Sequence, residues 1–354
     1  MKTEHILIIR FSAMGDVAMT VPVVYSLAKQ YPDVRITVLS RPFARPFFEN
    51  LAHNVGFMEA DIKKEYHGIK GLNTLYRRLL AKQFTAIADF HSVLRSQYLR
   101  MRFNLSSYRV AHIDKHRKGK RLLTAQGNNK VMEQQPTSFQ NYADVLAELG
   151  YPVNICFKSI FPEETGGDLS KLPISLPLFH NAQEEPWIGI APFAAHAGKI
   201  YPEENMEEVI NLLIHTFPHC RIFLFGGGPQ ETETMNRWAS AYNNNVTNAS
   251  AQLQGLEHEL ILMSHLNVMI SMDSANMHLA SLVNTPVVSI WGATHPYAGF
   301  KGWNQPDSLC IQCNDLDCRP CSIYGNKPCA RGDMACMKNI LPETIVEKIR
   351  EVLK

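Results

Sequence analysis

Three short stretches of this chain place reactive side chains where a strand-like run gives way to a turn. Ser12-Ala13-Met14-Gly15-Asp16 follows the apolar run HILIIR at 5–10. A carboxylate at such a strand mouth can take a proton from an attacking hydroxyl, a service worth roughly 10²–10⁴-fold in rate. Asp is equally at home as a helix N-cap, so the pattern alone leaves both roles open for Asp16. Lys199 lies between the strand-like WIGIAP at 187–192 and the helix-like run at 203–217. A lysine there can neutralise a leaving phosphate, with the backbone N–H groups of the helix start beside it; a solvated surface lysine is the plain alternative. Asp273-Ser274-Ala275-Asn276-Met277-His278 is the strongest local pattern, because Asp273 ends a strand-like run and Ser274 opens a helix. The Ser274 hydroxyl and the first helical N–H groups suit a diphosphate, and His278, one turn on, can face the same crevice. An ordinary helix cap with a packed core histidine fits the spacing as well. Gly226-Gly227-Gly228 after RIFLF would let a nucleotide approach the backbone, but it does not complete a G-x-G-x-x-G fingerprint.

Two further stretches carry charge or sulfur. Arg109 to Arg121 gathers Lys115, Arg117 and Lys118 among its basic residues. It suits a phosphorylated or carboxylated acceptor, an anionic membrane surface, or a merely solvated loop. Of 8 cysteines, those from Cys310 to Cys336 form a cluster. In a reducing compartment such a cluster points to metal or to free thiols rather than to a disulfide framework. Cys310, Cys313, Cys318 and Cys321 form two C-x-x-C pairs with spacing compatible with a structural zinc or an iron–sulfur site, although the gap between the pairs is short for a zinc ribbon.

These residues need elements to hold them, and strand-like and helix-like runs alternate twice along the chain. The first series comprises strands at 5–10, 35–40, 85–90 and 109–113, a helix over 17–30, and a helix ending at Gly150. The stretch 151–185 is rich in Pro and Gly and reads as a connection. The second series has strands at 187–192, 221–228, 267–273 and 286–292, and closes on the amphipathic run TIVEKIREVL. Two such series predict two parallel-sheet α/β domains, which bind ligands beyond the carboxyl ends of their strands. The expected division is 1–160, a linker at 161–185, a second domain at 186–341 and a C-terminal helix at 342–354.

The 354 residues allow about two domains, each able to bury its own core. A net charge of +2 gives no sign of nucleic-acid binding. The short apolar run at the start is far below a signal-peptide core, and no stretch reaches transmembrane length. A cytoplasmic location is the expectation.

Taken together the motifs resemble those of glycosyltransferase family 9, the ADP-heptose:lipopolysaccharide heptosyltransferases. The opening Arg10-Phe11-Ser12-Ala13-Met14-Gly15-Asp16 is similar to the family's R-x-S-x-x-G-D, and Asp89 with His91 to Ser96 to a segment after an inner strand. Lys199-Ile200-Tyr201-Pro202 resembles K-x-W-P, with Tyr201 in place of Trp. Asp273-Ser274-Ala275 with His278-Leu279-Ala280, and then Trp291-Gly292-Ala293-Thr294-His295-Pro296, resemble its last two motifs. The resemblance implies a GT-B-like α/β fold of two Rossmann-like domains facing a cleft. It implies an inverting transfer of heptose, or a related sugar, from an ADP-sugar to the lipid A–core acceptor, with no cofactor required for catalysis. Asp16 would be the base. Lys199, Asp273, Ser274, Ala275, His278 and Thr294 would hold the diphosphate, and Gln230 or Glu231 the ribose. Ser12, Arg95, Lys115, Arg117 and Lys118 would meet the acceptor, with peripheral contact at the cytoplasmic face of the inner membrane. A nucleotide-sugar epimerase or hydrolase of the same architecture, or a non-catalytic nucleotide-sugar-binding protein, are the competing readings.

Overall fold

The computed structural model describes residues 4–173 and 185–354. The chain divides into two units, one made of Met1–Lys115 with Pro136–Ile160 and the other of His116–Gln135 with Phe161–Lys354.

The first unit is built on a buried run of β-branched residues. Strand β1 (His5–Ile9) is buried along its whole length. It pairs in parallel with β2 (Arg35–Ser40) on one side and with β4 (Ala86–Asp89) on the other. β3 (Val55–Glu59) and β5 (Arg109–His112) extend the sheet to the order β3-β2-β1-β4-β5. The chain steps outward from β1 to β3 and then returns to the other side of β1. The carboxyl ends of β1 and β4 therefore flank a topological switch point. Where one helix was expected over 17–30, there are two, Met14–Ala18 and Val21–Gln30. Pro22 is the cause of the late start: it occupies the first turn of the second helix, where its missing N–H costs nothing. The sequence reading left 51–84 unassigned. The structure places β3 there and the helix Gly68–Leu80, which buries Leu72, Leu75, Tyr76 and Leu79 at helical spacing.

The second unit repeats the scheme with β6 (Trp187–Ala191), β7 (Arg221–Leu224), β8 (Val246–Asn248), β9 (Val268–Met272), β10 (Val287–Trp291) and β11 (Cys310–Gln312). The order is β11-β10-β9-β6-β7-β8, all parallel, with the switch point between β6 and β9. Strands β8 and β11 have 3 residues each, too few for a period of two to show in sequence. The helices Glu203–Thr216 and Pro342–Val352 pack on each other and on this core through Val209, Leu213, Ile345 and Ile349, all fully buried. Each such side chain contributes about 1.5–3 kcal/mol through burial.

Residues 116–135 were assigned to the first domain from sequence but belong to the second unit. The Lys130 ammonium donates to the carbonyls of Asp317 and Arg319, each at 2.7 Å, and Gln135 N–H donates to the Tyr297 carbonyl. Part of the expected linker also packs on this unit: Gly167 N–H donates to Ser264 Oγ at 2.8 Å. Residues 174–184 of that linker lie outside the described residues. Among the described residues no helix is long and apolar enough to cross a membrane.

Candidate active site

At the switch point of the first unit, the turn after β1 meets the turn after β4. Asp16 lies in the first turn of its helix, where one carboxylate oxygen accepts the Ala13 N–H at 3.0 Å. The same oxygen pairs with Arg10 Nη2 at 2.7 Å. Arg10 is buried, and its other nitrogen donates to the Phe90 carbonyl at 2.7 Å, so the guanidinium is locked between the two turns. The Asp16 side chain keeps 32% of its surface exposed, enough for a substrate hydroxyl to reach it.

His91 completes this cluster. Its Nδ1 accepts the Phe11 N–H at 3.4 Å, which places the ring proton on Nε2, 3.4 Å from Ser12 Oγ. Burial, and then the Arg10 charge, push its pKa down to about 3, so the imidazole is neutral at physiological pH. Asp89 fixes the loop that carries it: one fully buried carboxylate oxygen accepts the His91 and Ser92 N–H groups at 3.0 and 2.8 Å, and the other meets Arg100. Tyr142 closes the site from beneath, donating its hydroxyl to the Asp16 carbonyl at 3.3 Å. Burial pushes the Tyr142 pKa up, so that hydroxyl remains a donor.

In the second unit three neighbouring strands deliver side chains to one edge of the sheet. Lys199 follows β6, Asp273 follows β9 and Thr294 follows β10. Lys199 Nζ lies 2.9 Å from Asp273 Oδ2, with the two side chains 14% and 4% exposed. Ser274 is the N-cap of the helix Ala275–Leu282, yet its side chain makes no capping bond; Oγ instead sits 3.3 Å from Ser271 Oγ. The first-turn N–H groups, beginning with Ala275, are thus not consumed by that hydroxyl. His278 is buried one turn into the helix. Thr294 is 1% exposed, and its hydroxyl has no hydrogen-bond partner among the described residues. A cation and a helix start at the switch point, with an unsatisfied buried hydroxyl on the loop after the neighbouring strand β10, offer donors for an anion with several oxygens.

The other sequence candidates are distributed more loosely. Glu231 lies in the first turn of the helix Pro229–Ala241 and accepts the Gly227 N–H at 2.7 Å, while Gln230 is exposed beside it. Lys115 donates to the Ser92 carbonyl at 3.1 Å, within reach of the His91 turn, and Arg95 is exposed on the following helix. Arg117 and Lys118 are exposed on the helix Arg117–Leu123 of the second unit, so the basic stretch is divided between the two units. Tyr201 is a core residue that donates to the Ile340 carbonyl at 2.7 Å.

The expected metal quartet is not formed. Cys310 sits on β11 against Ser289, while Cys318 and Cys321 line a cavity without Cys310 or Cys313. Among the described residues no three His, Cys, Asp or Glu side chains converge on one point as a single bound ion requires. The zinc site expected at Cys310, Cys313, Cys318 and Cys321 is therefore corrected.

Arg319 was not singled out from the sequence. Its guanidinium is buried and donates to the carbonyls of Gly292, Trp291, Thr294 and Cys313, pinning the loop after β10. Arg10 and His91 were noted only inside motifs. The available signal was similar for both: Arg10 directly follows the buried strand β1, and His91 lies two residues past Asp89, the last residue of the buried strand β4.

Comparison with known proteins gives a consistent result. The model of glycosyltransferase family 9 (heptosyltransferase) matches residues 72–328. Lipopolysaccharide heptosyltransferase 1 of Salmonella typhimurium is 24% identical over 341 residues, covering 91% of this chain and 99% of that one. Among solved structures, Escherichia coli heptosyltransferase WaaC with ADP superposes with a TM-score of 0.68 at 19% identity, over 98% of this chain and 99% of the other. A family 9 glycosyltransferase from Veillonella parvula gives 0.72 at 17% identity, over 100% and 98%. These likenesses show the fold, a GT-B-like α/β chain of two Rossmann-like units.

Proposed function

We propose, for a chain that belongs to glycosyltransferase family 9, that it moves a heptose from an ADP-sugar onto the inner core of lipopolysaccharide. The relatives named as lipopolysaccharide heptosyltransferases, and the structural relative solved with ADP, support this reading. The observation that carries it is the Lys199–Asp273 pair at the switch point of the second unit, beside the helix that opens at Ala275.

The reaction is a single displacement with inversion. The acceptor oxygen attacks the anomeric carbon, the bond from that carbon to the diphosphate oxygen breaks, and the acceptor proton passes to Asp16. The electron pair leaves on ADP. Lys199, the Ala275 N–H, and the side chains of Ser274, His278 and Thr294 stabilise the departing diphosphate. Fixed donors of this kind act where the charge develops, without reorganising, and so lower the barrier. Asp273 holds the ammonium of Lys199 in place, and Gln230 or Glu231 meets the ribose. The ammonium supplies the cationic partner of the leaving group, so the chemistry requires no metal. Neutral His91 and Ser12 orient the acceptor hydroxyl toward the carboxylate. Arg95, Lys115, Arg117 and Lys118 attract the anionic core sugars, and the acceptor itself brings the enzyme to the cytoplasmic face of the inner membrane.

Replacing Asp16 by Ala tests the assignment. Loss of the base lowers kcat by about 10²–10⁴-fold while ADP-sugar affinity, measured by calorimetry, stays within a factor of about two. Turnover at the parent rate in this variant removes Asp16 from the role of base.

A further inference from the structure

Two helices of the first unit expose a surface that the transfer reaction does not use. The helix Gly68–Leu80 and the helix Leu94–Leu105 run side by side and parallel. Asn73 Oδ1 accepts from the Tyr98 hydroxyl at 2.7 Å and from Arg102, and about one turn on the Tyr76 hydroxyl meets the Arg102 carbonyl and Ser106 Oγ. Their first turns therefore lie at the same end of the unit, the carboxyl end of the sheet, where the loop after β4 leads through His91 and Ser92 into Leu94.

Leu94 is 86% exposed, Leu105 77%, Ile69 68% and Met101 48%. Nine large apolar side chains are exposed among the described residues, and these two helices carry four of them. Positions 94, 101 and 105 fall on one face of a helix, so they form a stripe rather than a scatter. A single exposed aliphatic residue is ordinary, whereas an aligned group marks a contact surface. Charge indicates the partner. Neither helix holds an acidic residue, while Lys70, Arg77, Arg78 and Arg95 are exposed on them, and Lys63 and Lys64 on the turn before the first. The acids of that turn are Asp61, whose carboxylate accepts the Lys63 and Lys64 N–H groups, and Glu65. Protein hot spots draw on Trp and Tyr, and single-stranded nucleic acid draws on aromatic stacking. The exposed apolar side chains here are aliphatic or thioether. Set among cations, they match an anionic bilayer, where apolar groups enter below the headgroups and cations meet the phosphates.

We infer that this face docks on an anionic phospholipid bilayer, with Ile69, Leu94, Met101 and Leu105 inserted and Lys63, Lys64, Lys70 and Arg77 on the headgroups. The contact lies in the interface plane and is reversible. It is separate from the hold that the acceptor provides. The docking stands apart from the transfer reading, but its use rests on that reading: it brings the His91 turn to headgroup level, where a lipid-anchored acceptor presents its sugars.

The test is sedimentation of the full chain with vesicles of phosphatidylcholine alone, or of phosphatidylcholine with one third phosphatidylglycerol. Neither contains lipopolysaccharide, so the outcome does not depend on heptose transfer. The expected result is binding to the anionic vesicles and not to the neutral ones, reversed by high salt. Lys70→Gln with Arg77→Gln weakens the partition about fivefold per charge, and Leu94→Ser with Leu105→Ser weakens it about tenfold. Melting temperatures stay near the parent value, because these side chains are exposed. Absence of binding to the anionic vesicles overturns the inference. So does parent-level binding in either double variant, which places the contact elsewhere. A dimer in solution that Leu94→Ser with Leu105→Ser breaks also overturns it, and assigns the face to a second copy of the chain.

Discussion

His91 is buried without its charge, and that has a measurable price at low pH. Its folded pKa of about 3 lies below the ordinary 6.5, so between these values the unfolded chain binds a proton that the folded chain does not. Stability therefore rises with pH through that window and falls as the solution is acidified below about 6.5. His295, lowered to about 4 mainly by burial and then by Arg319, adds to the same slope. Glu259, pushed up to about 7 by burial, contributes with the opposite sign over the same range. The His91 contribution is therefore read as the change that His91→Asn makes in the stability difference between urea titrations at pH 7.5 and 4.5, which is expected to shift toward lower relative stability at pH 7.5. An unchanged difference would locate the acid sensitivity elsewhere. The chemical identity of the residues was readable at this scale, because Asp16, Lys199 and Asp273 each follow an apolar strand. Their pairings were not readable: Arg10 with Asp16 and Lys199 with Asp273 join positions whose proximity depends on strand order.

At the scale of elements, the loop that carries Lys199 is packed against its neighbours with no room for a side chain at Gly198. A Cβ there would stand 2.7 Å from the Gly325 carbonyl oxygen and 2.9 Å from Ala293 Cβ. Both are parts of tied loops rather than flexible side-chain tips, so Gly198→Ala must displace the Lys199 loop. Overpacking of this kind costs roughly 1–3 kcal/mol. The expected result is a lower melting temperature together with an ADP affinity weakened about tenfold, a loss of about 1.4 kcal/mol. Parent affinity in a folded Gly198→Ala variant would show that the loop position does not govern donor binding. Long strands and amphipathic helices were legible, since their period is repeated enough to be counted. The break at Pro22 was visible only as an irregularity, and β8 and β11 were too short to register. The helix Gly68–Leu80 carries a 3.6-residue apolar pattern at Leu72, Leu75, Tyr76 and Leu79, a signal that is local and present in the sequence.

For the whole molecule, the two units predict a local response to nucleotide. Every proposed diphosphate contact lies in the second unit. ADP at 100 times its Kd stabilises the state that binds it by about 2.7 kcal/mol. Hydrogen exchange is expected to slow at the turns after β6, β9 and β10, while β1 to β5 keep their rates. Protection confined to the first unit would reverse the assignment of donor and acceptor sides. The class of the fold, legible as two alternating series of apolar strands and helices, and the chemical types at the strand mouths follow from the order of residues alone, because both are local properties of periodicity and side-chain identity. It takes the folded chain to show that 116–135 joins the second unit, that Cys329 and Cys336 rather than Cys310 and Cys313 share a cavity with Cys318 and Cys321, and that Lys199 meets Asp273. Those contacts join residues far apart along the chain, and they depend on strand order, burial and the closing of loops, none of which is carried by the spacing of neighbours.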